Sequence, residues 1–319
     1  MTLKKANLRP TDWSSFTGQE NTVKSIQIAI KASQKRKEPL EHVLLYGPPG
    51  LGKTTLANII AKNLNTNIKI TSGPALTRSG DLASILTSLE PGDILFIDEI
   101  HRLNKNVEEA LYPAMEDFNL DIVLGKGPGA RTLRLDLNPF TIIGATTKAG
   151  AISSPLRDRF GLVHRLTYYS ANDLEKIIKD ASTVLGIKLD TDSAKEIAKR
   201  SRGTARIALK LLRRVRDYCL IEHESKPNLD LTQKCLKFYQ VDDAGLDETD
   251  RALLEAIIKL HNGGPVGLQT LASLISEDLE TITDVNEPFL LQTGFLMKTS
   301  RGRVATPKAY QHLNLKKNA

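Results

Sequence analysis

From residue 47 to residue 54 the chain reads Gly-Pro-Pro-Gly-Leu-Gly-Lys-Thr: a glycine, four residues, then glycine, lysine and threonine. Nothing else in the sequence restricts the fold so tightly. Glycines at these places let successive backbone N–H groups turn toward one chain of phosphates, and the cradle needs a strand running in and a helix running out. Both flanks comply, because residues 42–46 form a short apolar run and residues 53–64 carry apolar positions at helical spacing. Gly50 and Gly52 shape the loop, and Lys53 reaches the terminal phosphates as a point charge. The hydroxyl of Thr54, followed by Thr55, offers oxygen to Mg2+, which prefers such donors. ATP and Mg2+ are therefore the expected cofactors.

Strand and helix patterns alternate beyond the loop. Residues 93–97 and 140–144 are continuous apolar runs and residues 106–115 a helical pattern, as a parallel sheet covered on both faces requires. The fold class is thus α/β. The first of these runs ends in Asp98 and Glu99, which places one carboxylate by the metal and the next by the attacking water. His101 completes Asp-Glu-Ile-His and reads as a surface histidine opening a helix. The second run ends in Thr146 and Thr147, hydroxyls beside the acids that can sense the γ-phosphate, with Thr147 preferred. Residues 120–137 alternate around a glycine-rich centre and predict a β-hairpin whose apolar face needs a cover, either the chain itself or a docked partner.

Ser154-Pro-Leu-Arg157-Asp-Arg159-Phe follows, with two arginines and no acidic partner four residues away. An arginine lent to a neighbour's nucleotide stabilises the charge that grows in phosphoryl transfer. Helical patterns then run to about residue 238, with Arg206 at the head of an arginine-bearing helix, and residues 241–250 read as an acidic linker. The last segment reads helix, helix, helix, hairpin, the order of a winged helix. After Glu287 it contains no acid, whereas Lys298, Arg301, Arg303, Lys308, Lys316 and Lys317 are basic, which suits DNA phosphates. A net charge of +7 agrees with a polyanion partner without requiring one. The two cysteines, Cys219 and Cys235, have no metal-ligand spacing and read as reduced thiols of a cytoplasmic protein. No apolar run is long enough to cross a membrane, and residues 1–10 lack the apolar stretch of a secretion signal.

The phosphate loop, Asp98-Glu-Ile-His101, the Ser154–Gly161 segment and Arg202-Gly-Thr-Ala-Arg206, in this order, resemble the AAA+ ATPases. Within them the chain from Leu8 onward is similar to the RuvB family of motors that drive branch migration of Holliday junctions. Further support comes from Leu8-Arg9-Pro10, Phe16-Thr-Gly-Gln19, Tyr112-Pro-Ala-Met-Glu116-Asp117-Phe118 and Gly263-Gly-Pro-Val-Gly267. The resemblance implies an AAA+ P-loop core (residues 1–169), a small helical lid domain (170–242) and a C-terminal winged-helix domain (243–319).

It further implies that Leu8 and Arg9 lie at the adenine, that Glu116, Asp117 and Phe118 line the nucleotide pocket, and that Tyr169 contacts the base. Arg159 matches the arginine finger and Arg206 the second sensor, although Ala205 stands where the family usually has proline. Lys298 and Arg303 match DNA contacts. RuvA is the implied partner at the 120–137 hairpin, with RuvC, four-way junction DNA and a homo-hexameric ring. Two other readings compete: a clamp-loader-like ATPase, which carries a helical collar in place of a basic wing, and a nucleotide-switched DNA-binding protein, which intact Lys53, Thr54, Asp98 and Glu99 disfavour.

Overall fold

The computed structural model describes residues 8–124, 131–222 and 226–316. The sequence readings that fall on residues 1–7, on the hairpin tip at 125–130 and on Lys317 lie outside these. The chain forms two compact units, Met1–Tyr169 and Ser170–Ala319.

In the first unit, helix α1 (Glu20–Arg36) precedes strand β1 (Val43–Tyr46), helix α2 (Lys53–Leu64) and strand β2 (Ile68–Ser72). Helix α3 (Ser79–Leu86), strand β3 (Ile94–Asp98) and helix α4 (Lys105–Glu116) follow. A hairpin of β4 (Asn119–Leu124) and β5 (Arg131–Asp136) leads to β6 (Thr141–Thr146), α5 (Ser154–Asp158) and β7 (Leu162–Arg165). The sheet order is β2-β3-β6-β1-β7 with every pairing parallel. The three central strands are buried along nearly their whole length, which explains their unbroken apolar sequences. Edge strands β2 and β7 are half-exposed, and Ile70 and Val163 face solvent.

The hairpin pairs Leu120 with Leu135 and Ile122 with Leu133. Its apolar face is partly covered by the chain itself. Leu120 and Leu137 are buried in the core with Val107, Leu111 and Phe140, and Leu135 packs against it. Leu133, nearer the tip, remains exposed.

In the second unit, α6 (Ala171–Val184), α7 (Thr191–Lys199), α8 (Ala205–Glu222) and α9 (Leu229–Phe238) pack together. Ser170, Asp190 and Asn228 each cap a helix by accepting a backbone N–H. Helix α10 (Glu248–Glu255) passes into a π turn (Ala256–Leu260), and α11 (Leu268–Leu274) follows. Then come α12 (Leu279–Thr281), a second π turn (Ile282–Asn286), α13 (Glu287–Gln292), the ribbon β8 (Leu296–Thr299) and β9 (Gly302–Ala305), and α14 (Pro307–His312). Leu253, Leu254, Ile257, Leu271, Leu290, Phe295 and Ala309 form a core of their own beneath this winged helix.

The acidic stretch 241–250 is a folded connection instead of a solvated linker. Arg200 bonds to Val241 O at 2.9 Å and to Asp243 at 2.6 Å, and Arg202 pairs with Asp247 at 2.6 Å and with buried Asp250. Both cysteines are free and buried. Among the described residues no helix is long and apolar enough to cross a membrane.

Candidate functional site

The phosphate loop leaves the C-terminal end of β1 and α2 begins at Lys53. Gly47 has φ +140°, and a Cβ there would lie 2.4 Å from Leu166 O, so the loop can press against the chain following β7 only with glycine. Lys53 Nζ donates to Gly47 O at 2.7 Å and Pro48 O at 2.9 Å, which folds the ammonium into the loop it serves. Thr54 and Thr55 are half-buried on the first turn of α2, where backbone N–H groups and the helix dipole favour an anion.

Next to the loop, a cavity of about 430 Å³ is lined by Arg9, Pro10, Thr11, Thr55, Asn58 and Lys62. Arg9 thus lines the cavity beside the loop, with half-buried Leu8 one residue before it. Asn58 and Lys62 went unnoticed in the sequence, yet they follow Thr55 at three and seven residues, one face of a helix. Tyr169 is buried, and its hydroxyl donates to Leu51 O at 3.0 Å. A Cβ on Gly52 would lie 3.3 Å from both the Tyr169 hydroxyl and the Phe16 ring, so this pair braces the phosphate loop. Phe16 is itself held nearby, because Gln19 exchanges two hydrogen bonds with the Thr167 backbone at 2.6 and 3.1 Å.

Asp98 ends β3 one strand away from β6, and it accepts the Glu99 N–H at 3.0 Å. Glu99 takes a left-handed backbone (φ +49°) and pairs with Arg102 at 3.2 Å. His101 differs from the surface histidine expected, since its Nδ1 lies 2.9 Å from the hydroxyl of buried Thr146. Thr146 also accepts the Lys148 N–H at 2.9 Å, so its oxygen is engaged within the protein, whereas Thr147 is half-buried at the strand end. Lys53, Thr54, Asp98, Glu99 and Thr147 accordingly gather at the C-terminal edge of the sheet, where parallel α/β folds place their ligands.

Arg159 stands elsewhere. It lies between α5 and β7, and β7 begins beside the start of β1, where Leu162 N donates to His42 O at 3.1 Å. Glu116, Asp117 and Phe118 share this end: Phe118 meets Phe140 edge-on at 5.7 Å, and His42 contacts Met115 O at 3.0 Å. Since Ile142 N donates to His42 Nδ1, Nε2 must carry the proton given to Met115, which requires a neutral ring. Burial lowers the pKa of His42 and keeps it so. The acid expected to be missing near Arg159 is supplied from a distance, because Arg159 Nη2 donates to Glu116 at 2.9 Å. Four residues of β1 alone separate the two ends by roughly 13 Å, at about 3.3 Å per residue. Within one chain, therefore, Arg159 and Glu116–Phe118 do not join Lys53.

In the second unit, Arg206 is exposed on the first turn of α8. That turn starts without proline, and Thr204 Oγ1 accepts the Ile207 N–H at 3.4 Å in its place. On the wing, Lys298 and Arg301 are exposed, whereas Arg303, opposite Lys298 in the ladder, bonds twice to Glu287 at 2.7 and 3.2 Å.

A phosphate loop and a strand-end acid pair on a parallel sheet, followed by a helical bundle and a winged helix, define an AAA+ P-loop ATPase. Three family models match in sequence: the Holliday junction DNA helicase RuvB P-loop domain over residues 8–166, the RuvB AAA lid domain over 169–242, and the RuvB C-terminal winged helix domain over 243–314. The chain belongs to the RuvB family. It is 56% identical to the Holliday junction branch migration complex subunits RuvB of Chloroflexus aggregans and Chloroflexus aurantiacus, over 97% of this chain and 88% of each relative. A solved structure of the Thermotoga maritima RuvB Holliday junction branch migration motor superposes with a TM-score of 0.89 at 50% identity, covering 97% of this chain and 99% of that one.

Proposed function

We propose that this chain hydrolyses ATP to drive branch migration of four-way DNA junctions during homologous recombination and repair, working in the cytoplasm as a ring, hexameric by family resemblance. The observation that carries the ring is the placement of Arg159 and Lys53 at opposite ends of one sheet. An arginine that cannot reach its own chain's phosphates can reach a neighbour's when subunits stack head to tail around a closed circle. Glu116, Asp117 and Phe118 then line the neighbour's pocket from the same edge.

Thr54, on the first turn of the helix that follows β1, and Asp98, at the end of β3 with only β6 between the two strands, supply oxygen donors, a donor set that fits Mg2+. When bound, the ion neutralises charge on the phosphates. Lys53 and the loop amides hold the nucleotide, Glu99 orients or deprotonates water, Thr147 senses the γ-phosphate, and Arg206 reports nucleotide state from the helical lid. We assign residues 1–169 to the motor core, 170–242 to the lid and 243–319 to DNA. Lys298, Arg301 and Arg303 contact DNA backbone, and the 120–137 hairpin, with Leu133 exposed near its tip, docks RuvA, with RuvC joining the assembly.

The deciding assay measures ATP turnover and strand exchange on a synthetic four-way junction with and without RuvA. Junction and RuvA together are expected to raise both rates. An equal response to primed duplex carrying a sliding clamp would favour a loader, and full-speed turnover by an isolated monomer would end the motor reading.

A further inference from the structure

Arg159 has a bed built for it by side chains with no part in binding nucleotide. Its guanidinium carbon lies 4.4 Å from the centre of the Tyr112 ring, and Nη1 donates to Pro155 O at 2.6 Å. The Tyr112 hydroxyl donates to Glu108 Oε1 at 2.6 Å, and the same carboxylate oxygen receives the hydroxyl of Ser153. Ser153 also caps α5 by accepting Leu156 N–H at 3.3 Å. Glu108 thereby ties one face of α4 to the N-cap of α5, the helix that Arg159 directly follows. Burial first, and then the Glu108 carboxylate, raises the pKa of Tyr112, which keeps its hydroxyl a donor.

We infer that Tyr112 and Glu108 are positioning residues for the arginine finger: the ring fixes the plane of the Arg159 guanidinium and Glu108 fixes the ring. This rests on the reading that Arg159 acts on a neighbour's nucleotide. The physical need is clear. A long cationic side chain loses rotamer freedom when it meets a phosphate, and a misplacement of about 1 Å costs on the order of a hundredfold in rate. Stacking and the Pro155 bond remove that freedom in advance. The remaining contact is a different matter, because Glu116 is 54% exposed and its pairing with Arg159 is one that incoming phosphate can replace. Arg159 Nε is buried with no hydrogen-bond partner among the described residues, so the finger is held with this donor still unused.

The test uses the full chain with RuvA and junction DNA. Tyr112→Leu is expected to lower kcat at saturating ATP by roughly tenfold or more. The affinity for a fluorescent ATP analogue should stay within about twofold, because Tyr112 stands at the other end of the sheet from Lys53. Tyr112→Phe keeps the stacking ring but frees it from Glu108, so it and Glu108→Gln should each cost severalfold, less than Tyr112→Leu.

The telling measurement is the double variant Tyr112→Leu with Arg159→Ala. If Tyr112 works through Arg159, the double loses no more than Arg159→Ala alone; multiplied losses mean that Tyr112 acts only on the fold and overturn the inference. Unchanged kcat in Tyr112→Leu, beside an inactive Arg159→Ala, also overturns it while leaving the finger intact. Full activity of Arg159→Ala overturns the reading beneath it. Should Tyr112→Leu fail to fold, Glu108→Gln decides: a kcat equal to the unmodified chain's refutes the clamp.

Discussion

Arg202 donates to the carboxylate of Asp250, 48 residues further on, and Asp250 has no exposed surface. One partner precedes the helix that carries Arg206, and the other sits in the first helix of the winged-helix segment. Asn286 donates to Asp250 at 2.7 Å, and the Arg202 guanidinium lies 4.7 Å over the Phe289 ring. A charged pair so thoroughly removed from water fixes the relation of its two segments, because pulling them apart strands both charges.

The pair makes stability depend on pH. Burial above all, reinforced by Asp247 and opposed by Arg202, pushes the Asp250 carboxyl up to about 6 from 3.8. Between these values only the folded chain keeps the proton, so stability contributed by this group is present below pH 3.8 and lost as pH rises through about 6. The full excursion is up to about 3 kcal/mol. Unfolding midpoints of the unmodified chain and Asp250→Asn, subtracted at each pH, should show this fall between about pH 4 and 6 and none from 7 to 9. A level difference throughout would remove Asp250 as the cause.

At the phosphate loop, the roles of Lys53 and Glu99 separate cleanly. Losing the ammonium removes charge-assisted bonds worth about 1.5–3 kcal/mol, so Lys53→Ala should weaken ATP binding by roughly ten- to a hundredfold or beyond detection. Glu99→Gln keeps the shape and should bind normally while turnover falls on the order of 10²- to 10⁴-fold. Equilibrium binding and single-turnover rates decide the matter. Unimpaired turnover by Lys53→Ala would show that the nucleotide binds elsewhere.

Much of this architecture is readable in the sequence, and the gaps have physical causes. Helix α2 matches the span read from spacing, and β1, β3 and β6 stand out because burial on both faces leaves them apolar except near their ends. Edge strands β2 and β7 escape notice: Ile68-Lys-Ile-Thr-Ser and Leu162-Val-His-Arg are half-exposed, apolar Ile70 and Val163 included, so neither shows the continuous apolar run of a central strand. Helices α3 and α14 are short, eight and six residues, too brief to show a period. Around the site, local motifs carry Lys53, Thr54, Asp98 and Glu99. The contacts of Arg159 with Tyr112 and Glu116, of His101 with Thr146 and of Tyr169 with Leu51 join residues 43 to 118 apart. No spacing rule reaches that far in a single sequence.

The wing makes a sharper distinction than charge alone. Lys298 and Arg301 are exposed, so alanine there should leave the melting temperature unchanged and reduce the slope of log affinity against log salt by about one each. Arg303 also holds Glu287, which is 8% exposed, so Arg303→Ala should in addition cost about 3 kcal/mol of stability. Titrations of junction DNA at several salt concentrations, with thermal melts of each variant, separate the two roles. Loss of DNA binding in Arg303→Ala without any fall in melting temperature would mean that the Glu287 pairing holds nothing in place.

The last prediction concerns how a subunit depends on its neighbour. Because Arg159 and Lys53 mark opposite ends of the sheet, each composite site of the proposed ring takes its phosphate loop from one chain and its guanidinium from the next. Arg159→Ala should therefore bind ATP with near-normal affinity yet hydrolyse it on the order of 10³-fold more slowly or worse, since a finger arginine contributes about 10³–10⁵. Mixing such subunits with unmodified ones adds a stricter requirement. When neighbours fire in turn around a closed ring, one missing guanidinium stalls the sites that wait on it, and activity falls faster than the fraction of unmodified chain. Subunits carrying Lys53→Ala and Arg159→Ala on separate chains should still form some intact interfaces, where the first supplies Arg159 and the second Lys53, and so recover slow turnover that neither shows alone. Turnover measured against mixing ratio tests both statements. Strict proportionality to the unmodified fraction, together with no recovery in the cross-mixed sample, would place Arg159 in the service of its own chain and overturn the ring reading.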